Sequence, residues 1–426
     1  MIVLVSIIII GLFLLIRRKW ALLSNELLYI TFWWWLPIIL YFSTGVQWYA
    51  YNTSTYAVTY YIIAYFLLIL SRKIGIKYKF VINTPKYEGG GTTDDNLTIN
   101  EKRINRFLLI GLLGTLVYIV DYLNHNSITK DSRYSVLTVW GTLGSFFCPI
   151  LLTVGFYLVA HSLTEEKKIS IKGLLCLILY LLPNTLNSGR ESLFVVFVGL
   201  LVVYSISNAD KKGVKQYLQR SDLSKYILLG VVFLTIVGIM VVVSASRFGN
   251  LESTAFLLRA RLPDSLKQTL DNLRITKYLA YNTISYFAQQ VPYFSFVYDN
   301  YNGPYYFGLY ELNILSRRLP SQSFYNGNNI ISRVIDSVPT VFSHGWPTGM
   351  ASLIYDFGKI GALIAIVCMG YFIGRKRSDY IRTNSIKSVV VIALFCSMSM
   401  SLIQNGVFFQ YLQFGAFIWW GIIFRK

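Results

Sequence analysis

Runs of roughly 15 to 25 apolar residues, parted by short polar breaks, recur along nearly the whole chain, and they dictate what it can fold into. A run of that length is what a helix needs to cross a hydrocarbon core about 30 Å thick. Lipid offers the backbone no water to bond, so such a run satisfies its N–H and C=O groups internally as a helix. The runs lie near 2–16, 27–43, 56–71, 106–123, 136–160, 171–184, 193–208, 226–245, 350–373, 388–405 and 409–424. That makes about eleven spans, with ten to twelve as the range because 2–16 is short and 136–160 is long. Hydrophobic residues form 54% of the chain and charged residues only 14%, which excludes an ordinary soluble domain. The expected fold is an all-α polytopic integral membrane protein with one integrated membrane domain: helices one to eight over 1–245, a large external segment over 246–349, and the last helices over 350–426.

The net charge of +19 would suggest nucleic acid in a soluble protein, but its distribution points to topology instead. If sides alternate from the RRK at 17–19, the cytoplasmic segments 17–19, 72–106, 161–172, 208–226, 374–387 and 425–426 hold 26 of the 39 basic residues. The short external loops hold only Lys130, Arg133 and Arg190. By the positive-inside rule the N-terminus lies outside and the C-terminus inside, as an odd number of spans requires. No basic region precedes the first apolar run and no small-residue cleavage site follows it, so 2–16 reads as a first span.

Cys148, Cys176, Cys368 and Cys396 all fall inside expected spans and read as small apolar packing residues. His125, His161 and His344 are too scattered for a metal cluster, and no phosphate-binding glycine loop or zinc-protease pattern occurs. No metal, cofactor or nucleic acid is expected. The EGGGTTDDN stretch at 88–96 has the composition of a flexible cytoplasmic linker.

From 246 to about 347 the rhythm of span and short loop fails, leaving roughly a hundred external residues rich in Tyr, Asn, Gly and Arg. Within it, 253–274 has the periodicity of a helix lying on the membrane surface, and 278–298 has the composition of a re-entrant or interfacial hairpin. The region carries Arg247, Arg259, Arg261, Arg274, Arg317, Arg318 and Arg333 but only two lysines. The planar guanidinium fork suits bidentate recognition of a diphosphate. The neighbouring YDNYNGPYYFGLYELN at 298–313, with Tyr305 and Tyr306, offers rings to stack on sugars and hydroxyls and amides to bond them. An interfacial aromatic belt would use the same tyrosines. His344, the lone histidine of the segment, is of the residue type suited to a general base, and equally to a polar anchor at the interface; Glu311 and Glu191 compete for the role of base. In NSGRESLF, 187–194, Arg190 and Glu191 point about 100° apart on a helix, so each needs another partner. Arg190 reads either as a holder of a diphosphate at the outer membrane face, with Glu191 orienting it or another loop arginine, or as a snorkelling helix-end residue. Asp356 and Lys359, three apart on one helix face, read as a mutually neutralising structural pair.

Three features in this order resemble the O-antigen polymerase (Wzy) family: SGRES at 188–192 at the outer end of a span, the single large external loop, and PTGMASLIYDFGKIG at 347–361 entering the next span. The last is similar to the family's Pro/small segment followed by a Tyr and an aromatic-Gly-x-x-Gly, here Pro347, Tyr355, Phe357, Gly358 and Gly361. Some members carry an Arg and a Gly separated by ten residues in their external loops; Arg317 reaches Gly327 one residue early. The resemblance implies a GT-C-like architecture in the bacterial inner membrane, with the active site facing the periplasm. The implied substrate is an undecaprenyl-diphosphate-linked oligosaccharide, whose growing glycan passes to the non-reducing end of the next lipid-linked unit without a metal. A polysaccharide chain-length regulator is an implied partner. An O-antigen ligase shares the layout, and a lipid-linked oligosaccharide flippase is the competitor from outside glycosyl transfer, although paired repeats with short loops are expected of it.

Overall fold

The computed structural model describes residues 26–45, 47–48, 53–77, 101–125, 138–165, 169–186, 191–209, 260–261, 264–265, 268, 287–312, 322–338, 348–399 and 411–425. Among these the helices are α1 (Glu26–Thr44), α2 (Thr55–Lys77), α3 (Glu101–His125), α4 (Val139–Phe147), α5 (Pro149–Glu165), α6 (Ile171–Leu186) and α7 (Glu191–Ala209). They continue with α8 (Gln290–Asn300), α9 (Gly327–Asp336), α10 (Gly349–Thr383), α11 (Ile386–Met398) and α12 (Tyr411–Ile423). One short antiparallel pairing joins β1 (Gln47–Trp48) to β2 (Ala260–Arg261), with Gln47 opposite Arg261. The protein is helical, and five segments among the described residues are long and apolar enough to cross a membrane: α1, α2, α3, the pair α4–α5 and α10.

The faces of α3 are arranged as a bilayer favours. Its buried positions are Ile104, Gly111, Gly114, Thr115, Tyr118, Asp121 and Tyr122, whereas Leu109, Leu113, Leu116, Val120 and Leu123 are exposed. A water-soluble helix would turn those leucines inward; here glycine, polar and tyrosine side chains make up most of the contact face and a row of leucine and valine faces outward. A water-exposed surface of that kind would aggregate, while hydrocarbon accepts it without cost.

Two compact units partition the chain. The first comprises Met1–Ile63, Ala209–Ala362 and Met398–Gln410. In it α1 and α2 are cross-bonded, Trp34 Nε1 donating to the Tyr61 carbonyl and the Tyr61 hydroxyl to the Trp34 carbonyl, both at 3.3 Å. The start of α2 is tied to α8 by the Ser54 amide donating to Ser295 Oγ at 2.6 Å. The second unit comprises Ala64–Asn208, Leu363–Ser397 and Tyr411–Lys426. In it α12 is held by the Thr153 hydroxyl donating to the Ala416 carbonyl at 3.0 Å and Trp419 Nε1 donating to the Phe146 carbonyl at 2.7 Å. Arg103 caps the last turn of α12, donating to the Ile422 and Arg425 carbonyls at 2.8 and 2.9 Å, which sets a cation against the negative end of the helix dipole.

The expected span 136–160 is present as one apolar segment, Val139–Glu165, divided at Cys148, where Pro149, which has no N–H to give, opens α5 at the position where none is needed. Two expectations require correction. The surface helix expected over 253–274 is interrupted, because Ala260 and Arg261 are extended and pair with β1. The span 350–373 belongs to a longer helix that is broken within its first ten residues, at Gly358. The expected spans 2–16 and 226–245 lie outside the described residues, and of the expected hairpin 278–298 the described part, from Phe287, is largely α8.

Candidate functional site

The break in α10 organises the site. The helix starts conventionally, with Thr348 accepting the Ala351 amide on its hydroxyl at 2.9 Å and the Ser352 amide on its carbonyl at 2.9 Å. At Gly358 the backbone turns to φ 70° and ψ 178°, a conformation open to glycine and strained for other residues. A Cβ at this position would also lie 2.9 Å from Cζ of Tyr305, so Gly358 is needed both for the turn and for the ring laid against it.

Breaking the helix disturbs its hydrogen bonding, and the stretch 305–312 supplies replacement donors. The amides of Tyr306 and Phe307 donate to the carbonyls of Tyr355 and Asp356 at 3.2 and 2.9 Å. The Asp356 side chain completes the junction: Oδ1 accepts the Tyr310 amide at 2.9 Å and Oδ2 the Glu311 amide at 3.0 Å. Asp356 is fully buried, so both carboxylate oxygens are spent on fixing the turn 305–312. The turn closes on itself through the Leu309 amide to the Tyr306 carbonyl and the Leu312 amide to the Gly308 carbonyl, at 3.0 and 2.9 Å.

Beneath the turn lies a tyrosine core. The Tyr355 ring meets Tyr301 and Tyr310 edge-on at 4.8 and 5.2 Å, and its hydroxyl lies 3.1 Å from that of Tyr293. The Tyr301 hydroxyl donates to the Pro304 carbonyl at 2.6 Å. Burial pushes the phenols of Tyr306 and Tyr310 above their usual range; at Tyr306 the Tyr301 hydroxyl and the Arg333 cation act the other way. These phenols remain protonated donors at any physiological pH.

Arg333 on α9 borders this core. Its guanidinium lies 3.9 Å from the centre of the Phe324 ring, and Nη1 donates to the Phe324 carbonyl at 3.1 Å. Phe324 in turn contacts Tyr306 at 6.1 Å between ring centres. The residue is exposed and its fork has donors beyond the one engaged, so it can meet an anion. Phe324 and its neighbour Tyr325 present exposed rings, as do Tyr305 and Phe307 on the turn 305–312.

Of the residues expected from sequence, Tyr305, Tyr306, Glu311, Arg333 and Tyr355 are therefore brought into one unit. Tyr306 and Tyr355 are 1% and 0% exposed and build the core, whereas Tyr305 reaches the surface. Glu311 is 4% exposed and lies within the junction. Asp356 and Lys359 do not pair, because the break at Gly358 separates what a continuous helix would align. Lys359 Nζ instead lies 4.4 Å from the centre of the Tyr298 ring, and its carbonyl accepts the Tyr60 hydroxyl at 2.5 Å. Arg261 lies in β2, and Glu191 opens α7 in the second unit. Arg190, Arg247, Arg259, Arg317, Arg318 and His344 lie outside the described residues.

Sequence reasoning missed Asp356 as the organiser of the turn and Phe307 as its most exposed ring. The available signal was Gly358, a glycine inside an apolar helical pattern. Among the described residues no three His, Cys, Asp or Glu side chains gather as metal ligands would. Compared with protein families, curated proteins and solved structures, the chain has no match.

Proposed function

We propose that this chain polymerises lipid-linked oligosaccharide repeat units at the outer face of a bacterial inner membrane, in the manner of the O-antigen polymerases it resembles. In this reading it has about eleven spans in a GT-C-like arrangement, with the N-terminus outside, the C-terminus inside and the 246–349 segment over the site. The observation that carries the reading is the junction at Asp356. The Tyr/Asn/Gly-rich external stretch 298–312 and the 347–361 element, two of the regions on which the resemblance rests, form one substructure with Arg333 at its border.

The chemistry required is transfer at an anomeric carbon. The bond from that carbon to the carrier diphosphate breaks, a bond to a hydroxyl at the non-reducing end of the next unit forms, a base takes the hydroxyl proton, and undecaprenyl diphosphate leaves. Arginines facing the diphosphate would neutralise its developing charge, the role assigned to Arg190 and to Arg333 with Arg247, Arg259, Arg317 and Arg318. With Glu311 buried, the base falls to His344 or Glu191.

The test is deletion of the gene in its host, with surface glycolipids compared on a gel with and without complementation. Collapse of a ladder to core plus a single repeat unit supports polymerisation, because flipping and ligation must still operate. Loss of every repeat-bearing band overturns it. Single units facing the cytoplasm would then identify a flippase, and full chains retained on the carrier outside would identify a ligase.

A further inference from the structure

Phe307 is in a conformation that its own side chain disfavours. It has φ 53°, in the left-handed region where Gly or Asn is the ordinary occupant, yet its ring is 71% exposed and so contributes little to the packing beneath. The turn holds it there by main force of hydrogen bonding: its own amide to the Asp356 carbonyl, and the Tyr310 and Glu311 amides to the Asp356 carboxylate. Folding alone is served better by a small polar residue at this position, so the exposed ring calls for something that covers it.

Four observations identify the cover. From Asn300 to Tyr310 the sequence NYNGPYYFGLY carries no charge. The turn adjoins exposed apolar surface on α10: a Cβ at Gly308 would lie 3.5 Å from Phe357 Cζ, and Phe357, just before the break at Gly358, is itself 38% exposed. Beyond the break Ile360 is 78% exposed, and both lie in the segment Gly349–Thr383, which is long and apolar enough to span a bilayer. Tyr305, 45% exposed, has the apolar body and polar tip found at the headgroup level.

We infer that the turn Tyr305–Phe307 is a foot set into the phospholipid interface, with the Phe307 ring in the acyl boundary and Tyr305 at the headgroups, held in place by Asp356. The partner is a phospholipid surface, and the inference stands whatever reaction the protein carries out. Its consequence is that the Asp356 junction and the neighbouring Arg333 segment are kept close to the membrane plane, where the phosphate groups of any lipid-borne substrate lie.

The test places a benzophenone-bearing phenylalanine analogue at position 307 of the full chain, reconstituted in phosphatidylethanolamine and phosphatidylglycerol vesicles, and identifies photo-adducts by mass spectrometry. The same analogue at Asn328, an exposed polar residue of α9, is the reference, and Tyr305 is a second, independent placement. Phospholipid adducts several-fold more abundant at 307 and 305 than at 328 are expected. Equal phospholipid labelling at 307 and 328 overturns the inference, as do adducts at 307 formed within the protein. The same analogue in cells completes the test: adducts there that carry carbohydrate assign the ring to a glycan and overturn the lipid assignment.

Discussion

Asp356 is the side chain whose loss the structure is least able to absorb. It is buried and accepts two main-chain amides, so replacement by alanine leaves the Tyr310 and Glu311 N–H groups in a dry environment without acceptors. An unsatisfied buried donor costs about 1–3 kcal/mol, so Asp356→Ala is expected to destabilise the first unit by roughly 2–5 kcal/mol. Asp356→Asn retains one acceptor but turns an NH₂ group toward the other amide, and an intermediate loss is expected. The apparent unfolding temperature in detergent measures both, and faster proteolysis within 301–312 would locate the damage. Equal stability of Asp356→Ala and the parent would refute the latch. None of this was legible from the spacing of Asp356 and Lys359, which on an unbroken helix puts them on one face. The unbroken helix was the false premise: the glycine between them takes a positive φ, and two residues that a regular helix would pair are turned to different partners.

Among the elements, α3 and α4 cross closely because glycines meet there. A Cβ at Gly144 would lie 2.6 Å from the Gly114 carbonyl oxygen, so the two backbones are already in contact and no side chain can be placed between them. Without a hydrophobic drive between helices in lipid, such close packing is a principal source of association. Gly144→Leu is expected to separate the helices and sharply reduce the monodisperse peak in size-exclusion chromatography, with Gly144→Ala milder; an unchanged profile for Gly144→Leu would show that the crossing is dispensable. Most helices were legible because an apolar run of membrane length has few alternatives: 56–71 lies within α2, 106–123 within α3, and 171–184 within α6. What failed were the interruptions. Pro149 at the head of α5, Gly358 within α10 and the pairing of Ala260–Arg261 with Gln47–Trp48 all depend on local geometry or on a distant strand, to which hydropathy is blind.

For the molecule as a whole, composition conveyed its apolar, helical character, and the site emerged only when segments far apart in sequence were joined. Tyr310 and Asp356 are 46 positions apart, and nothing in either stretch announces that one binds the other. Arg333 carries the proposed activity to its most direct test, because its structural and functional contributions should differ in size. The guanidinium is exposed and stacked on Phe324, an interaction worth about 0.5–1 kcal/mol at such a site, so Arg333→Ala should fold and insert nearly as well as the parent. A charge-assisted bond to a substrate phosphate contributes about 1.5–3 kcal/mol, equivalent to roughly tenfold or more in rate when it is made in the transition state. The surface glycan of an Arg333→Ala strain should therefore shift to markedly shorter chains at matched protein level. Arg333→Lys, which keeps the charge but loses the planar fork, should fall between the two. Parental chain lengths from Arg333→Ala would remove this arginine from the substrate path and leave the remaining arginines of the 246–349 segment to carry the diphosphate.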